Sequence, residues 1–150
     1  MAARKRKSKK QSAANSKPPD NPVFFIDEAL GGHQISAALR AAGENVEVHN
    51  DVFPSGTPDV EWLEYAGRNK RLVITKDKRI RYRSVEINTI RKHGVMVFRF
   101  ASGNLSGRQM AEILEKAKDR IKKYAARHRG PFIVTLSREG KLNPVDISRK

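Results

Sequence analysis

Two short apolar runs in the first half of the chain each lead to acidic residues. Residues 23–26 are Val-Phe-Phe-Ile and are followed by Asp27 and Glu28. Residues 72–74 are Leu-Val-Ile and lead, after two polar residues, to Asp77. Continuous apolar runs of this length are typical of strands buried on both faces of a parallel sheet. Because ligands bind beyond the carboxyl ends of such strands, the pattern predicts that both acids reach the same edge of one sheet.

The remaining pattern alternates between helical and strand periodicity. Expected helices cover residues 34–42, 58–67, 78–92 and 107–127, and further expected strands cover residues 46–49, 95–100 and 132–136. Residues 50–58 have the composition of a loop, and Thr57 is the expected N-cap of the helix that follows. The alternation predicts an α/β fold of three layers, α/β/α, with a mostly parallel central sheet. Turn residues at 138–141 add a C-terminal strand or hairpin that reaches residues 142–147.

Charge is the strongest signal in the composition. The 150 residues carry a formal net charge of +15, and the isoelectric point is near 10.5. This charge predicts attraction to polyanions, of which nucleic acid is the favoured class. The absence of cysteine excludes disulfides and thiolate metal sites and agrees with a cytoplasmic location. No apolar run is long enough to cross a membrane, so no membrane partner is expected.

The N-terminal segment differs in composition from the rest of the chain. Residues 1–22 contain a basic run at residues 4–10 and two adjacent prolines, and they have no apolar periodicity. This composition predicts a disordered basic tail. Residues 23–150 are expected to form a single domain, because their length is sufficient for one buried core and short for two.

Acids gathered at one edge of a strongly basic protein indicate phosphodiester chemistry. A lone Asp after a strand is usually a helix cap, but its repetition at Asp27 and Asp77 favours a divalent-cation site. Clustered carboxylates repel one another unless a cation lies among them, and oxygen ligands suit Mg²⁺ or Mn²⁺. The hypothesis is an in-line attack on a phosphodiester by a water that the metal ion activates.

Three segments together resemble a known family. Residues 25–28 (Phe-Ile-Asp-Glu), Asp59 at the start of a helix after a loop, and residues 73–78 (Val-Ile-Thr-Lys-Asp-Lys) are similar to the PIN-like domains. The compact branch grouped with VapC-type toxin ribonucleases looks closest, and the resemblance covers residues 23–100. It implies a Mg²⁺- or Mn²⁺-dependent ribonuclease, a cognate antitoxin protein that blocks the site, and a homodimer.

The resemblance also assigns the site residues. Matching acidic positions are Asp27, Asp59 and Asp77, of which Asp27 and Asp77 are the principal expected ligands. Larger members of the family have a fourth acid near the strand at residues 95–100, and this chain has none there. Glu28, a weaker ligand candidate, or Glu61 could supply that charge. Residues near Asp77 that could contact RNA are Thr75, Lys76, Lys78, Arg79, Arg81 and Arg83.

Two other functions stay open at this point. A catalytically degenerate relative would hold RNA or a protein without cutting, which the missing fourth acid and the basic tail favour. A phosphoacceptor receiver domain is disfavoured, because residues 136–138 (Leu-Ser-Arg) lack the lysine that a receiver needs after its fifth strand. The four histidines have no metal-binding spacing, so catalysis by histidine is not expected.

Overall fold

The apolar runs form the strands of one sheet, as expected. The structure, a computed structural model, describes residues 21–30, 33–78, 80 and 82–147. Its six strands are β1 (Val23–Ile26), β2 (Asn45–Val48), β3 (Leu72–Thr75), β4 (Met96–Phe100), β5 (Phe132–Leu136) and β6 (Leu142–Val145). They are ordered β2-β1-β3-β4-β5-β6, with β6 antiparallel to β5 and all other neighbours parallel. The predicted α/β fold with a C-terminal hairpin is therefore confirmed.

Helices cover both faces of the sheet and complete three layers. They are α1 (Gln34–Ala41), α2 (His49–Val52), α3 (Asp59–Arg68), α4 (Ser84–His93) and α5 (Gly107–Arg127), and a 3-10 turn spans Glu28–Leu30. On one face, α1 and α5 bury residues such as Leu39 and Leu114 against alternate strand positions. On the other face, α3 and α4 bury residues such as Leu63 and Ile90. Because both faces are covered, the central strands are mostly apolar.

The longest helix begins at a capping box that its sequence carries in full. The Ser106 hydroxyl accepts a hydrogen bond from the Gln109 backbone N–H at 3.1 Å, and the Gln109 side-chain oxygen accepts one from the Ser106 N–H at 2.8 Å. These bonds satisfy backbone donors that would otherwise lack partners at the first turn. They fix α5 over the sheet, where its apolar stripe is buried.

Three local expectations were wrong. The helix expected from Lys78 begins only at Ser84, because Ile80 is buried in the core and Arg83 is held in an extended conformation beside Asp77. The loop expected at residues 50–58 starts inside the short helix α2, so His49 begins that helix instead of ending a strand. Thr57 does not cap α3, because Pro58 occupies the N-cap position; the Thr57 hydroxyl donates instead to the Pro54 carbonyl oxygen at 2.6 Å.

Two further expectations concern the N-terminal tail and membrane-spanning segments. The proposed tail, residues 1–22, lies outside the described residues except for Asn21 and Pro22. Within the described part of the chain, no helix is both long enough and apolar enough to span a membrane.

Candidate functional site

Acidic residues from three elements line one cleft at the carboxyl edge of the sheet. Asp27 follows β1, Asp77 lies two residues after β3, and Asp59 is the first residue of α3. The cleft has a volume of about 450 Å³ and is lined by Asp27, Glu28, Ala29, Asp59, Lys76, Asp77 and Lys78. It lies where the strand order reverses between β1 and β3, which is the usual ligand position in open α/β sheets. The structure thus brings the three predicted aspartates together.

Asp27 is the buried member of this group. Only 8% of its surface is exposed. Its carboxylate accepts hydrogen bonds from the Thr75 hydroxyl at 2.7 Å and from the Ala29 backbone N–H at 3.3 Å. Burial raises the pKa of Asp27 above its ordinary value, and these two hydrogen bonds oppose the rise. The nearby charge of Asp59 raises the pKa further, so Asp27 holds its proton more tightly than a free aspartate does.

Thr75 connects the two strand ends. Its buried hydroxyl donates to Asp27 at 2.7 Å and accepts a hydrogen bond from the Asp77 backbone N–H at 3.1 Å. Thr75, which was predicted to contact RNA, therefore lies between Asp27 and Asp77. Thr75 fixes the orientation of the Asp27 carboxylate and the path of the chain that leads to Asp77.

Asp59 and Asp77 share one cationic partner. The Arg83 Nη1 atom lies 2.8 Å from Asp77 Oδ2 and 3.7 Å from Asp59 Oδ2. The other Asp59 oxygen accepts a hydrogen bond from the Trp62 indole N–H at 3.0 Å, one helical turn further along α3. The guanidinium and the indole thus hold these two carboxylates at the rim of the cleft.

Glu28 is anchored by a loop that the sequence did not connect to the site. Its carboxylate accepts hydrogen bonds from the Ser55 hydroxyl and, at 3.3 Å, from the Gly56 backbone N–H. These donors, first of all Ser55, lower the pKa of Glu28 below its ordinary value. The strand has ended before Glu28, so both Glu28 and Asp27 reach the same cleft. Only the Ser and Gly content of the loop signalled that it could bind a carboxylate.

His49 is a second residue whose position was not foreseen. Its side chain is completely buried, and Nδ1 lies 2.9 Å from Asn50 Oδ1 and 3.8 Å from Glu28 Oε1. Its ring packs against Phe25, Phe53 and Trp62. The imidazole therefore supports the Glu28 side of the cleft from within the core.

The other predicted contacts occupy different positions. Lys76 and Lys78 line the cleft, whereas Arg79 and Arg81 lie outside the described residues. Arg83 contacts the carboxylates. Glu61 is exposed in the first turn of α3 and does not line the cleft. Strand β4 carries Arg99 and no acid.

The donor chemistry of the cleft suits a hard divalent cation. Its acidic groups offer only oxygen atoms, which are the ligands that Mg²⁺ and Mn²⁺ prefer. Burial raises the pKa of Asp27, and a cation bound beside this carboxylate would lower that pKa again. Among the residues that the structure describes, no three acidic or histidine side chains stand close enough together to form a ready-made metal shell. Ion binding would thus require these side chains to move closer to one another.

Comparison with protein families identifies the fold. A family model described as a PIN like domain matches residues 22–102, which is more than half of the chain. The chain belongs to the PIN-like domain family. The matched range contains β1 to β4 and all three aspartates of the cleft, so the PIN-like resemblance is confirmed and indicates a nuclease-type fold. No curated protein and no solved structure gave a match.

Proposed function

We propose that this PIN-like domain is a metal-dependent endoribonuclease that uses Mg²⁺ or Mn²⁺. The observation that carries the proposal is the convergence of Asp27, Asp59 and Asp77 in one cleft of a chain whose net charge is +15. A basic protein attracts a polyanionic strand, and its clustered carboxylates offer a place for the cation that phosphodiester hydrolysis uses.

The cleft residues divide into ion-binding and phosphate-binding groups. Asp27 and Asp77 would hold the ion, with Asp59 as a third ligand or as an acceptor that orients its waters. When bound, Mg²⁺ or Mn²⁺ lowers the pKa of a water and offsets the negative charge that develops on phosphate. Lys76 and Lys78 line the same cleft and are placed to attract the phosphate. Thr75 keeps the Asp27 carboxylate oriented by its 2.7 Å hydrogen bond.

Glu28 is the group that best replaces the acid missing from β4. It lines the cleft, and its lowered pKa keeps it ionised at neutral pH. Glu61 lies on the exposed surface of α3 and is the weaker of the two candidates. In this proposal Glu28 adds negative charge at the ion position or accepts a hydrogen bond from a water at the ion.

A narrower form of the proposal makes the protein the toxin of a toxin–antitoxin pair. It rests on the resemblance to VapC-type toxins in residues 23–100, and it adds a cognate antitoxin, a homodimer and a cytoplasmic location. Co-purification of a small protein encoded beside the chain, with loss of cleavage in the complex, is the result that would support this form.

The direct test is cleavage of a labelled single-stranded RNA by the purified full chain in Mn²⁺, in Mg²⁺ and in EDTA. We expect cleavage with either ion, none in EDTA, and none by the Asp27→Ala variant. The matched control is Asp119→Ala, which removes an exposed aspartate of α5 that pairs with Lys118 and Lys122. Cleavage that persists in EDTA, or that Asp27→Ala retains, would exclude the proposed chemistry.

A second candidate is a domain that holds RNA or a partner protein without cutting. The specific observation in its favour is that Arg83, a permanent cation, already lies against Asp77 and Asp59. The same experiment discriminates the two functions, because RNA that is retained but never cut in any divalent ion would select the binding module.

A further inference from the structure

Arg83 occupies an unexpected position for a residue that was predicted to contact RNA. Its Nη1 atom lies 2.8 Å from Asp77 Oδ2 and 3.7 Å from Asp59 Oδ2. Arg83 immediately precedes α4, and its side chain is 41% exposed, whereas those of Asp59 and Asp77 are 35% and 22% exposed. One positive group at the rim of the cleft therefore lies against two of the three acids proposed to bind the ion.

We propose that Arg83 is an internal counter-ion that competes with the divalent cation for Asp59 and Asp77. The guanidinium must leave these carboxylates before the ion binds, so Arg83 weakens and regulates ion loading. This inference rests on the proposed metal site, and it adds a regulation that the family resemblance does not assign.

The competition follows from the oxygen atoms involved. The Asp77 oxygen that contacts Arg83 at 2.8 Å is also a candidate ligand of the ion. A Mg²⁺ ion requires its ligand oxygens at about 2.1 Å, which would place two positive groups within a few ångströms of each other. Their mutual repulsion, together with the shared oxygen, makes the guanidinium and the ion compete for this carboxylate. The geometry thus opposes a role in which Arg83 and the ion bind the same carboxylates together.

Release of Arg83 is possible because its attachment is weak. The pair with Asp77 is partly exposed to solvent, and exposed ion pairs contribute little stability. Arg83 lies immediately before α4, where its backbone carbonyl oxygen accepts a hydrogen bond from the Ile87 N–H, so its side chain can move without breaking a helix or strand hydrogen bond among those of the described residues. A divalent ion carries twice the charge of the guanidinium, and this favours exchange in the direction of the ion.

The test measures binding of Mn²⁺ alone, by titration calorimetry, to the EDTA-treated and dialysed full chain. Wild type is compared with Arg83→Gln, which removes the positive charge and retains a polar side chain. We expect Arg83→Gln to bind Mn²⁺ about three- to fivefold more tightly, the effect of losing one partly exposed competing pair. Arg83→Lys keeps the charge and should stay within about twofold of wild type.

The matched control is Arg68→Gln. Arg68 forms an ion pair of the same length with Glu64, 2.8 Å, on the surface of α3. Neither residue lines the cleft. Its removal should leave the affinity for Mn²⁺ unchanged. A thermal scan provides a second readout: Mn²⁺ should raise the melting temperature of Arg83→Gln by more than it raises that of wild type.

Each alternative outcome overturns the inference. Unchanged affinity in Arg83→Gln would mean that Arg83 does not compete, and weaker affinity would mean that it positions the ligands for the ion. The absence of Mn²⁺ binding in both proteins would remove the site itself. The ribonuclease proposal can fail separately. If Arg83→Gln binds Mn²⁺ more tightly but neither protein cleaves RNA, the enzyme is rejected and the competition is kept. If RNA cleavage depends on Mn²⁺ but Arg83→Gln binds Mn²⁺ as wild type does, the enzyme is kept and the competition is rejected.

Discussion

The two sides of the carboxylate cleft are built by opposite means. On the β1 side, Asp27 is buried and is held by neutral donors, the Thr75 hydroxyl and the Ala29 N–H. On the other side, Asp59 and Asp77 are partly exposed and are held by the Arg83 guanidinium. The first carboxylate carries its charge at a cost of desolvation, which a bound cation would offset. Asp59 and Asp77 must instead lose the Arg83 guanidinium. Binding of the same divalent ion would therefore offset a desolvation cost on one side of the cleft and displace a competing cation on the other.

The largest expected effect is on the rate of RNA cleavage, and it tests whether Asp27 and Asp77, on the two sides of the cleft, serve one reaction. Asp27→Asn and Asp77→Asn should each reduce RNA cleavage by at least about 100-fold, because even residues that only support a metal ligand contribute up to that amount. Rates in saturating Mn²⁺ with a labelled single-stranded RNA provide the measurement.

Asp119→Asn is the control for this pair of variants. Asp119 is 72% exposed on α5 and forms only surface ion pairs with Lys118 and Lys122 among the contacts described. Its loss should leave the rate unchanged. If either cleft variant kept the wild-type rate, the two sides would not share an ion, and the corresponding aspartate would be a structural residue.

Much of this arrangement follows from local sequence patterns. The runs at residues 23–26 and 72–74 are apolar because helices cover both faces of the sheet, so their strand assignment and their parallel pairing are predictable. Once both are parallel neighbours, Asp27 and Asp77 must reach the same edge. Local pattern and sheet geometry are sufficient for that part of the site.

The remaining contacts depend on chain segments that are distant or irregular. Ser55 contacts Glu28 across 27 positions of sequence, and no local pattern specifies that pair. The apolar spacing of residues 78–92 predicted one helix, but Ile80 is buried in the core and Arg83 binds Asp77, so the helix begins only at Ser84. Tertiary contacts therefore override helical periodicity where they can bury an apolar side chain and pair a charge.

A stability measurement sharpens the comparison on the buried side. Asp27→Asn should raise the free energy of unfolding at pH 7 by on the order of 1 kcal/mol, because it removes a buried charge and keeps the oxygen that accepts from Thr75, while it loses only the long hydrogen bond, 3.3 Å, from the Ala29 N–H. Urea unfolding in EDTA provides the value. Asp27→Asn is thus expected to be more stable than wild type although it cleaves RNA more slowly.

The pH dependence of this gain has a defined sign. The folded pKa of Asp27 is raised by burial, so the folded state binds the proton more tightly than the unfolded state does. Below the unfolded pKa, about 3.9, the carboxyl is neutral in both states and the variant gains nothing. The difference should grow as pH rises from the unfolded pKa to the folded pKa and remain constant above the folded pKa. A gain of equal size at pH 3 and pH 7 would contradict the raised pKa.

On the exposed side, Asp77→Asn should have the opposite and smaller effect. It removes the 2.8 Å pair with Arg83, and we expect a loss of less than about 1 kcal/mol in the free energy of unfolding in low salt. About 1 M NaCl should reduce that loss, because the screening length then falls to about 3 Å. Arg68→Gln, which removes the 2.8 Å surface pair with Glu64, provides a matched comparison. If Asp77→Asn were instead more stable than wild type, the charge of Asp77 would destabilise the folded protein.

The smallest effect concerns Glu28, which lies beside Asp27 but is held by the loop before α3. Ser55→Ala should raise the pKa of Glu28 toward its ordinary value, because the Ser55 hydroxyl is the main cause of the lowered pKa. Glu28 stays ionised at pH 7 in both proteins, so cleavage should change by less than about twofold.

Carbon-13 NMR titration of the Glu28 carboxyl group measures this shift directly. Thr57→Ala is the control, because the Thr57 hydroxyl donates to Pro54 within the same loop, and the Glu28 hydrogen bonds come instead from Ser55 and Gly56. An unchanged titration in Ser55→Ala would assign the lowered pKa to the Gly56 N–H. A loss of cleavage well above twofold, without such a loss in Thr57→Ala, would instead make the orientation of Glu28 part of the reaction, and this would identify the fourth acid that β4 lacks.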